Sequence, residues 1–258
     1  MIDPTSLTRP LAVVILAAGK GKRMGDPERA KVLTPLFDKP LLGYVLDQAS
    51  PLHPERVVVI IGHQRDAVRT FVSQYSPTST CAEQLEQLGT GHAVLQTRQA
   101  LEGFDGDVLI LSGDVPLVRT STLQQLVAQQ RSSGATATVL SARVPDATGY
   151  GRILRDGQGA LESIIEHKDA SDDQRAIDEI NSGIYVVDAH ALFEALSHVG
   201  NSNVQQEYYL TDIIGIFGAQ GKTINAWCGP SWEELHGINT PADLQRAADI
   251  MSSGTLSS

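Results

Sequence analysis

Three short segments carry residue types suited to phosphate chemistry. In LAAGKGKRM, residues 16–24, the small residues Ala17, Ala18, Gly19 and Gly21 let the backbone come close to a ligand. Their amide N–H groups are then free to bind phosphate oxygens, and Lys20, Lys22 and Arg23 add positive charge. The spacing matches neither the dinucleotide fingerprint nor the Walker P-loop. Lys31, in AKVL, is a mobile point charge of the kind that pairs with phosphate. Asp114, in LSGDVPLV (111–118), offers a carboxylate to Mg²⁺, a cation that takes one or two carboxylates and fills its octahedron with phosphates and water. Taken singly, each segment also reads as ordinary structure: a strand-to-helix turn, a solvated lysine, a turn or N-cap aspartate.

The elements around these segments decide whether they meet. Residues 11–16 (LAVVIL), 56–61 (RVVVII) and 107–111 (DVLIL) are short, β-branched apolar runs, the pattern of strands buried on both faces. Helical patterns follow at 41–49, 65–74, 91–101 and 121–131. Further on, 135–142 and 180–187 read as strands, 153–165 as a hairpin broken by RDGQGA, 189–196 and 209–220 as helices, and 223–227 as a last short strand. The final helix is 241–251, with Thr240 as N-cap and Pro241 at its first position. This alternation predicts an α/β fold: a Rossmann-like, mostly parallel mixed sheet with helices on both faces and a small antiparallel insertion formed by the hairpin and the 135–187 stretch. Right-handed crossovers then put the glycine loop and Asp114 on one sheet edge, where such folds bind ligands.

Composition limits the function classes. The 258 residues are 41% hydrophobic and 19% charged, an ordinary globular balance. The net charge of -10 argues against a nucleic-acid partner, which needs a basic footprint. It does not exclude a nucleotide, because local cations act over the ~10 Å that salt leaves unscreened. Two cysteines, Cys81 and Cys228, form neither a disulfide framework nor a zinc set and suit a reducing, cytoplasmic location. The apolar 11–18 run is shorter than the ~20 residues of a membrane span, and neither signal peptide nor membrane segment is expected.

Together with Lys31, the 16–24 loop and SGDVPL resemble the sugar-phosphate nucleotidyltransferase superfamily. EQLEQLGTGHA (83–93), GYGRI (149–153), IEHKDA (165–170), EINSGIY (179–185), EYYLTDII (207–214) and GINTPADL (237–244) follow in order. The whole series, spanning 12–248, resembles the uridyltransferase domain of bacterial bifunctional N-acetylglucosamine-1-phosphate uridyltransferase/glucosamine-1-phosphate acetyltransferases. That resemblance implies UTP and N-acetylglucosamine 1-phosphate as substrates and Mg²⁺ as cofactor. It implies nucleotide contacts from Leu16, Ala17, Ala18, Gly19, Gln84, Gly89, Thr90 and Gly113, and phosphate neutralisation by the catalytic Arg23 and Lys31 with Asp114. It further implies sugar contacts from Gly151, Glu166 and Asn181, and Asn239 as the metal ligand beside Asp114. It also implies one domain over 1–251, with 11–134 mainly nucleotide-binding and 135–251 mainly sugar-binding; the run SSGTLSS at 252–258 itself reads as a disordered tail.

The sequence departs from the family's pattern in several places. The stretch between Met24 and Lys31 is one residue longer than usual, Ala30 stands for a proline, Lys22 for a threonine, Ser112 for a common tyrosine and Asp38 for a glycine. No hexapeptide repeat follows, so neither acetyltransferase activity nor a β-helix domain is expected. Other sugar 1-phosphates or nucleotides, and a non-catalytic nucleotide-sugar-binding regulator on the same fold, remain alternative readings.

Overall fold

The computed structural model describes residues 9–26 and 28–254. The chain opens with β1 (Leu11–Ala17), a small hairpin of β2 (Pro35–Leu36) and β3 (Lys39–Pro40), α1 (Leu41–Ala49), β4 (Arg56–Ile61), α2 (Arg65–Tyr75), β5 (Thr80–Glu83), α3 (Thr90–Leu95) and β6 (Asp107–Ser112). It continues through α4 (Thr120–Ser133), β7 (Ala137–Arg143), β8 (Arg152–Arg155), β9 (Leu161–Ile165), α5 (Asp172–Arg175), β10 (Glu179–Asp188), α6 (Ala189–Leu196), α7 (Asp212–Ala219), β11 (Ile224–Cys228) and α8 (Pro241–Ser253).

The main sheet runs β11-β7-β10-β6-β1-β4-β5. β1 pairs in parallel with both β4 and β6, and β4 with β5. The chain therefore leaves β1 toward one edge and returns to its other side at β6. The connections diverge there, which opens a crevice beyond the carboxyl ends of β1 and β6. β1 alternates its side chains between two cores: Ala12 and Val14 enter one, Val13 and Ile15 the other. That explains why its sequence is apolar without interruption.

The antiparallel part sits differently from the expectation. β7 and β10 are integral to the main sheet, with β10 antiparallel to both β6 and β7. Only the β8–β9 hairpin branches off, joined to β10 through Arg152 and Ile180. The expected 91–101 helix ends early, at Leu95. The Thr97 hydroxyl donates to the Val94 carbonyl at 2.7 Å, and tight turns replace the helix beyond it. β5, a four-residue strand of mixed polarity, has no readable period and was not anticipated. Ser252 and Ser253, expected in a disordered tail, belong to α8, which ends at Gly254 in the left-handed region (φ 65°). The rest of that tail and the first eight residues lie outside the described residues.

A third, smaller core serves the crevice. Leu36, Leu41, Leu117, Ile238 and Ala247 pack together, seating α8 against the β2–β3 hairpin. Leu117 follows Asp114 and Ile238 precedes Asn239, so this cluster fixes both chain segments from behind.

Candidate active site

Asp114 leaves the end of β6 two residues after Ser112. The turn is held by the Gly113 N–H donating to the Leu16 carbonyl at 2.9 Å, and a Cβ on Gly113 would stand 3.1 Å from that oxygen. The 237–240 segment arrives from the far end of the chain. The Ile238 N–H donates to the Asp114 carbonyl at 2.9 Å. The cap of α8 then fixes Asn239, because Asp243 Oδ2 accepts the N–H groups of Asn239 (2.9 Å) and Thr240 (2.8 Å) while Thr240 Oγ1 accepts from Asp243 N. Thr240 and Pro241 are thus the cap and first position that the sequence indicated.

Asp114 and Asn239, 125 positions apart in sequence, converge on one cation, the ammonium of Lys31. Lys31 Nζ donates to Asp114 Oδ2 and, at 3.0 Å, to Asn239 Oδ1. The Lys31 and Asp114 side chains are 13% and 15% exposed, so this pair is largely withdrawn from water. Gly21, in the left-handed region (φ 58°), lets the glycine loop fold directly onto the Lys31 stem.

These groups line a hollow of about 250 Å³ with the end of β1 (Leu16, Ala17, Ala18, Gly19) and with Gln84, Gly89 and Thr90. The structure therefore brings together most of the residues implied for nucleotide and metal. Arg23 is not brought in: it is exposed on the turn at Lys22–Met24 and does not line the hollow. Gln84 is buried, and its amide nitrogen is committed to the Gly89 carbonyl (2.9 Å) and His92 Nδ1 (3.2 Å). Its carbonyl oxygen is the group left to face a ligand. Gln87, Ser112 and Glu207 also line the hollow; Gln87 and Glu207 lie within the family segments 83–93 and 207–214 without an assigned role, and Ser112 stands out in the sequence only as a departure from the family pattern. Gln87 Oε1 is buried without a hydrogen-bond partner, an acceptor awaiting a donor.

The 207–211 segment joins this hollow to a second one of about 330 Å³ lined by Glu166, Asp169, Tyr209, Thr211 and Asp212. Tyr208 N donates to Leu88 O, Gly91 N to Tyr208 O (both 2.8 Å) and Leu210 N to Thr90 Oγ1 (3.0 Å). Gly89, at φ 109°, lies against this strip, and a Cβ there would come within 2.6 Å of the Tyr208 carbonyl. Burial holds the Glu166 carboxyl above the usual carboxylate range, reinforced by Asp169, Asp212 and Glu207, while the Thr211 hydroxyl, donating at 3.3 Å, pulls it down. Asp212 is raised by burial and then by Asp169.

Gly151 and Asn181 stand side by side but do not line this second hollow. The Asn181 N–H donates to the Gly151 carbonyl at 2.9 Å, and a Cβ on Gly151 would lie 3.6 Å from that of Asn181. Asn181 pairs with Ser141, and the β10–β7 register shifts immediately after it, resuming at Tyr185 opposite Val139, a bulge beside the site. Tyr150, next to Gly151, hydrogen-bonds His236 Nδ1 (3.2 Å), whose Nε2 meets Asp243 Oδ1 (3.1 Å). The Gly151 loop is thereby tied to the Asn239 segment. Glu234 anchors that segment: fully buried, it accepts from Arg119 Nε (2.7 Å), Arg119 N (3.2 Å) and Thr122 Oγ1 (2.7 Å).

Larger hollows of about 910 and 540 Å³ open elsewhere, between the 95–105 turns and α6, and at the opposite end of β1. Neither gathers groups from the carboxyl edge of the sheet, so chemistry and not volume locates the site. Among the described residues no helix is long and apolar enough to cross a membrane.

Residues 13–199 match the model of the MobA-like NTP transferase domain. A "Bifunctional protein GlmU" of Streptomyces avermitilis is 45% identical over 249 residues, covering 96% of this chain and 52% of the relative. Those of Thermobifida fusca and Geobacillus sp. are 41% and 45% identical, over 97% and 92% of this chain and 52% and 51% of their own lengths. The chain thus spans about half the length of these relatives. A solved UDP-glucose pyrophosphorylase complexed with UDP-glucose superposes with a TM-score of 0.75 at 18% identity, over 95% of this chain and 99% of that one, and shares the fold.

Proposed function

The chain belongs to the MobA-like NTP transferase family, alongside the bifunctional GlmU proteins, and from that premise we propose that it joins UTP to N-acetylglucosamine 1-phosphate, forming UDP-N-acetylglucosamine and pyrophosphate in the cytoplasm. The observation that carries the reading is the meeting of Asp114 and Asn239 on a single cation beside the glycine loop. Those two oxygen donors fit Mg²⁺. Among the described residues no cluster of three or more His, Cys, Asp and Glu side chains forms a complete metal cage. A pair of oxygens is the protein share of a Mg²⁺ site that takes its remaining ligands from phosphates and water. Bound there, Mg²⁺ would neutralise phosphate charge between the two reactants.

In this reading the sugar-phosphate oxygen attacks the α-phosphorus of UTP in line, and pyrophosphate leaves. A phosphate nucleophile is already anionic near neutral pH, so no strong general base is needed; holding two polyanions together is the obstacle. Backbone N–H groups of the glycine loop cradle phosphate oxygens, and Lys31 stabilises the charge that grows on the leaving group. Arg23 would reach the phosphates only by moving its turn toward the hollow. Gln84 Oε1 accepts from the N–H at uracil N3. Cytosine presents an acceptor at that position, so the same geometry disfavours CTP. Glu166 accepts from sugar hydroxyls, with Gly151 and Asn181 as the further sugar contacts that the family resemblance implies.

The test is pyrophosphate release with each common nucleoside triphosphate against a panel of sugar 1-phosphates, with and without Mg²⁺. UTP with N-acetylglucosamine 1-phosphate and Mg²⁺ should give the highest kcat/KM. Release that ignores Mg²⁺, or that is absent with every pair, refutes the reading.

A further inference from the structure

We propose that Lys31 is a built-in occupant of the metal position, holding Asp114 and Asn239 together with its own ammonium until nucleotide phosphates draw it away, so that divalent cation and nucleotide enter as one coupled event. The inference rests on the proposed function for the identity of the two ligands and adds a second station for Lys31. Its ammonium is bound to both oxygens assigned to the cation. One position between those oxygens cannot hold two cations, so a divalent ion must expel the ammonium. The expelled group has somewhere to go, because Lys31 lines the same hollow as Gly19 and the end of β1, where phosphates would lie. Its flexible four-carbon stem allows the swing without moving the backbone. Only the base of the stem lies close against Gly21, so the outer carbons make the swing.

The consequences follow from linkage. Without phosphates, a metal ion must break a charge-assisted hydrogen bond in a pair withdrawn from water, and it must do so against the unmoved positive charge. Each such bond contributes about 1.5–3 kcal/mol, so Lys31 weakens metal-only binding on the order of ten- to a hundredfold. Phosphates offer the ammonium an equivalent partner and remove that penalty. By reciprocity the metal then favours nucleotide to the same degree. Conversely, before substrate arrives the carboxylate is never left uncompensated in a site with little water.

The experiment is Mn²⁺ titration of the purified protein without nucleotide, followed by electron paramagnetic resonance of the free ion. Lys31→Met should bind Mn²⁺ at least about tenfold more tightly than the unaltered protein. Lys31→Arg, which keeps the charge, should not. Adding Asp114→Ala to Lys31→Met should abolish the gain. Equal or weaker binding by Lys31→Met overturns the proposal, as does a gain that survives loss of Asp114, or no Mn²⁺ binding by any variant. A measurement on the unaltered chain stands in if Lys31→Met does not fold. Amine-reactive labelling of Lys31, read by mass spectrometry, should speed up when saturating Mn²⁺ is added alone, while labelling of Lys20 does not. An unchanged Lys31 rate overturns the proposal. Failure of the function reading is distinguishable: pyrophosphate release would be absent while these metal effects persist.

Discussion

Replacing Glu234, a residue that touches no substrate in the proposed mechanism, should damage both stability and metal use. Its side chain is 0% exposed. It gathers the Arg119 guanidinium, the Arg119 N–H at the start of α4 and the Thr122 hydroxyl. Glu234→Ala strands these donors. Breaking a buried pair by deleting one partner costs about 3–5 kcal/mol. The Arg119 side chain is 27% exposed and can turn partly toward water, which places the loss at the lower end. Thr122 is only 2% exposed and cannot. At about 2–4 °C per kcal/mol for a domain near this size, a loss of about 3 kcal/mol lowers Tm by roughly 6–12 °C. Glu234 also fixes the chain just before Asn239, so the Mg²⁺ concentration for half-maximal turnover should rise several-fold while the KM for UTP changes little. Circular-dichroism melts and Mg²⁺ titrations of activity check both. A Tm within about 2 °C of the unaltered protein, or an unchanged Mg²⁺ requirement, would refute the anchoring argument.

Glu166 gives a pH prediction with a definite sign. Its carboxyl is raised in the folded state, so the folded protein holds that proton more tightly than the unfolded chain. Stability is therefore lost as pH rises from the ordinary carboxylate value through the raised one. Glu166→Gln should be more stable than the unaltered protein at neutral pH, with the gain fading as the melts are repeated at lower pH; a gain that persists there counts against the burial argument. The same variant should raise the KM for the sugar phosphate while leaving that for UTP nearly unchanged, as steady-state kinetics will show. Gln84→Leu should shrink the UTP-to-CTP ratio of kcat/KM by on the order of ten- to a hundredfold, the scale of one buried hydrogen bond to a ligand, and an unchanged ratio removes Gln84 as base reader. Gly89→Ala must push the 207–210 strip away, because its Cβ would meet backbone at 2.6 Å; we expect loss of soluble protein or a KM for both substrates raised at least tenfold, measured by expression and kinetics.

The parts of the fold that the sequence revealed are those where a single local force decides. The short β-branched run 57–61 reads as a strand covered on both faces, and Thr240-Pro241 announces a helix start by its own hydrogen bonds. The end of α3 was hidden because a threonine hydroxyl competing for one carbonyl leaves no periodic trace. β5 was hidden because its burial comes from β4, not from its own composition. In the site, Gly19, Asp114 and Lys31 were legible from chemistry placed after buried strands. Asn239, Gln84 and Glu166 became legible only through the ordered series of family segments. Glu234 and Gln87 were invisible either way: an isolated Glu or Gln reads as surface, and only the arrival of Arg119 and Thr122, or the walls of the hollow, makes it otherwise.

The charge arrangement explains how a chain with a net charge of -10 could handle two polyanions. Among the described side chains the two hollows are lined by the carboxylates of Asp114, Glu207, Glu166, Asp169 and Asp212, and Lys31, already paired with Asp114, is the one lysine or arginine lining either. A lining of this sign opposes the approach of free phosphate, so on the proposed function the general field of the protein would not be what draws substrate in. In the proposed mechanism positive charge would arrive with the nucleotide, as its metal complex, and free Lys31 for the phosphates. Raised carboxyls at Glu166 and Asp212 point the same way, since that wall already resists carrying its full negative charge before a sugar with neutral hydroxyls covers it. On the proposed function, selectivity for a metal-bound nucleotide over bare phosphate would come from an acidic cleft with one internally neutralised lysine, where a basic cleft would bind any polyanion.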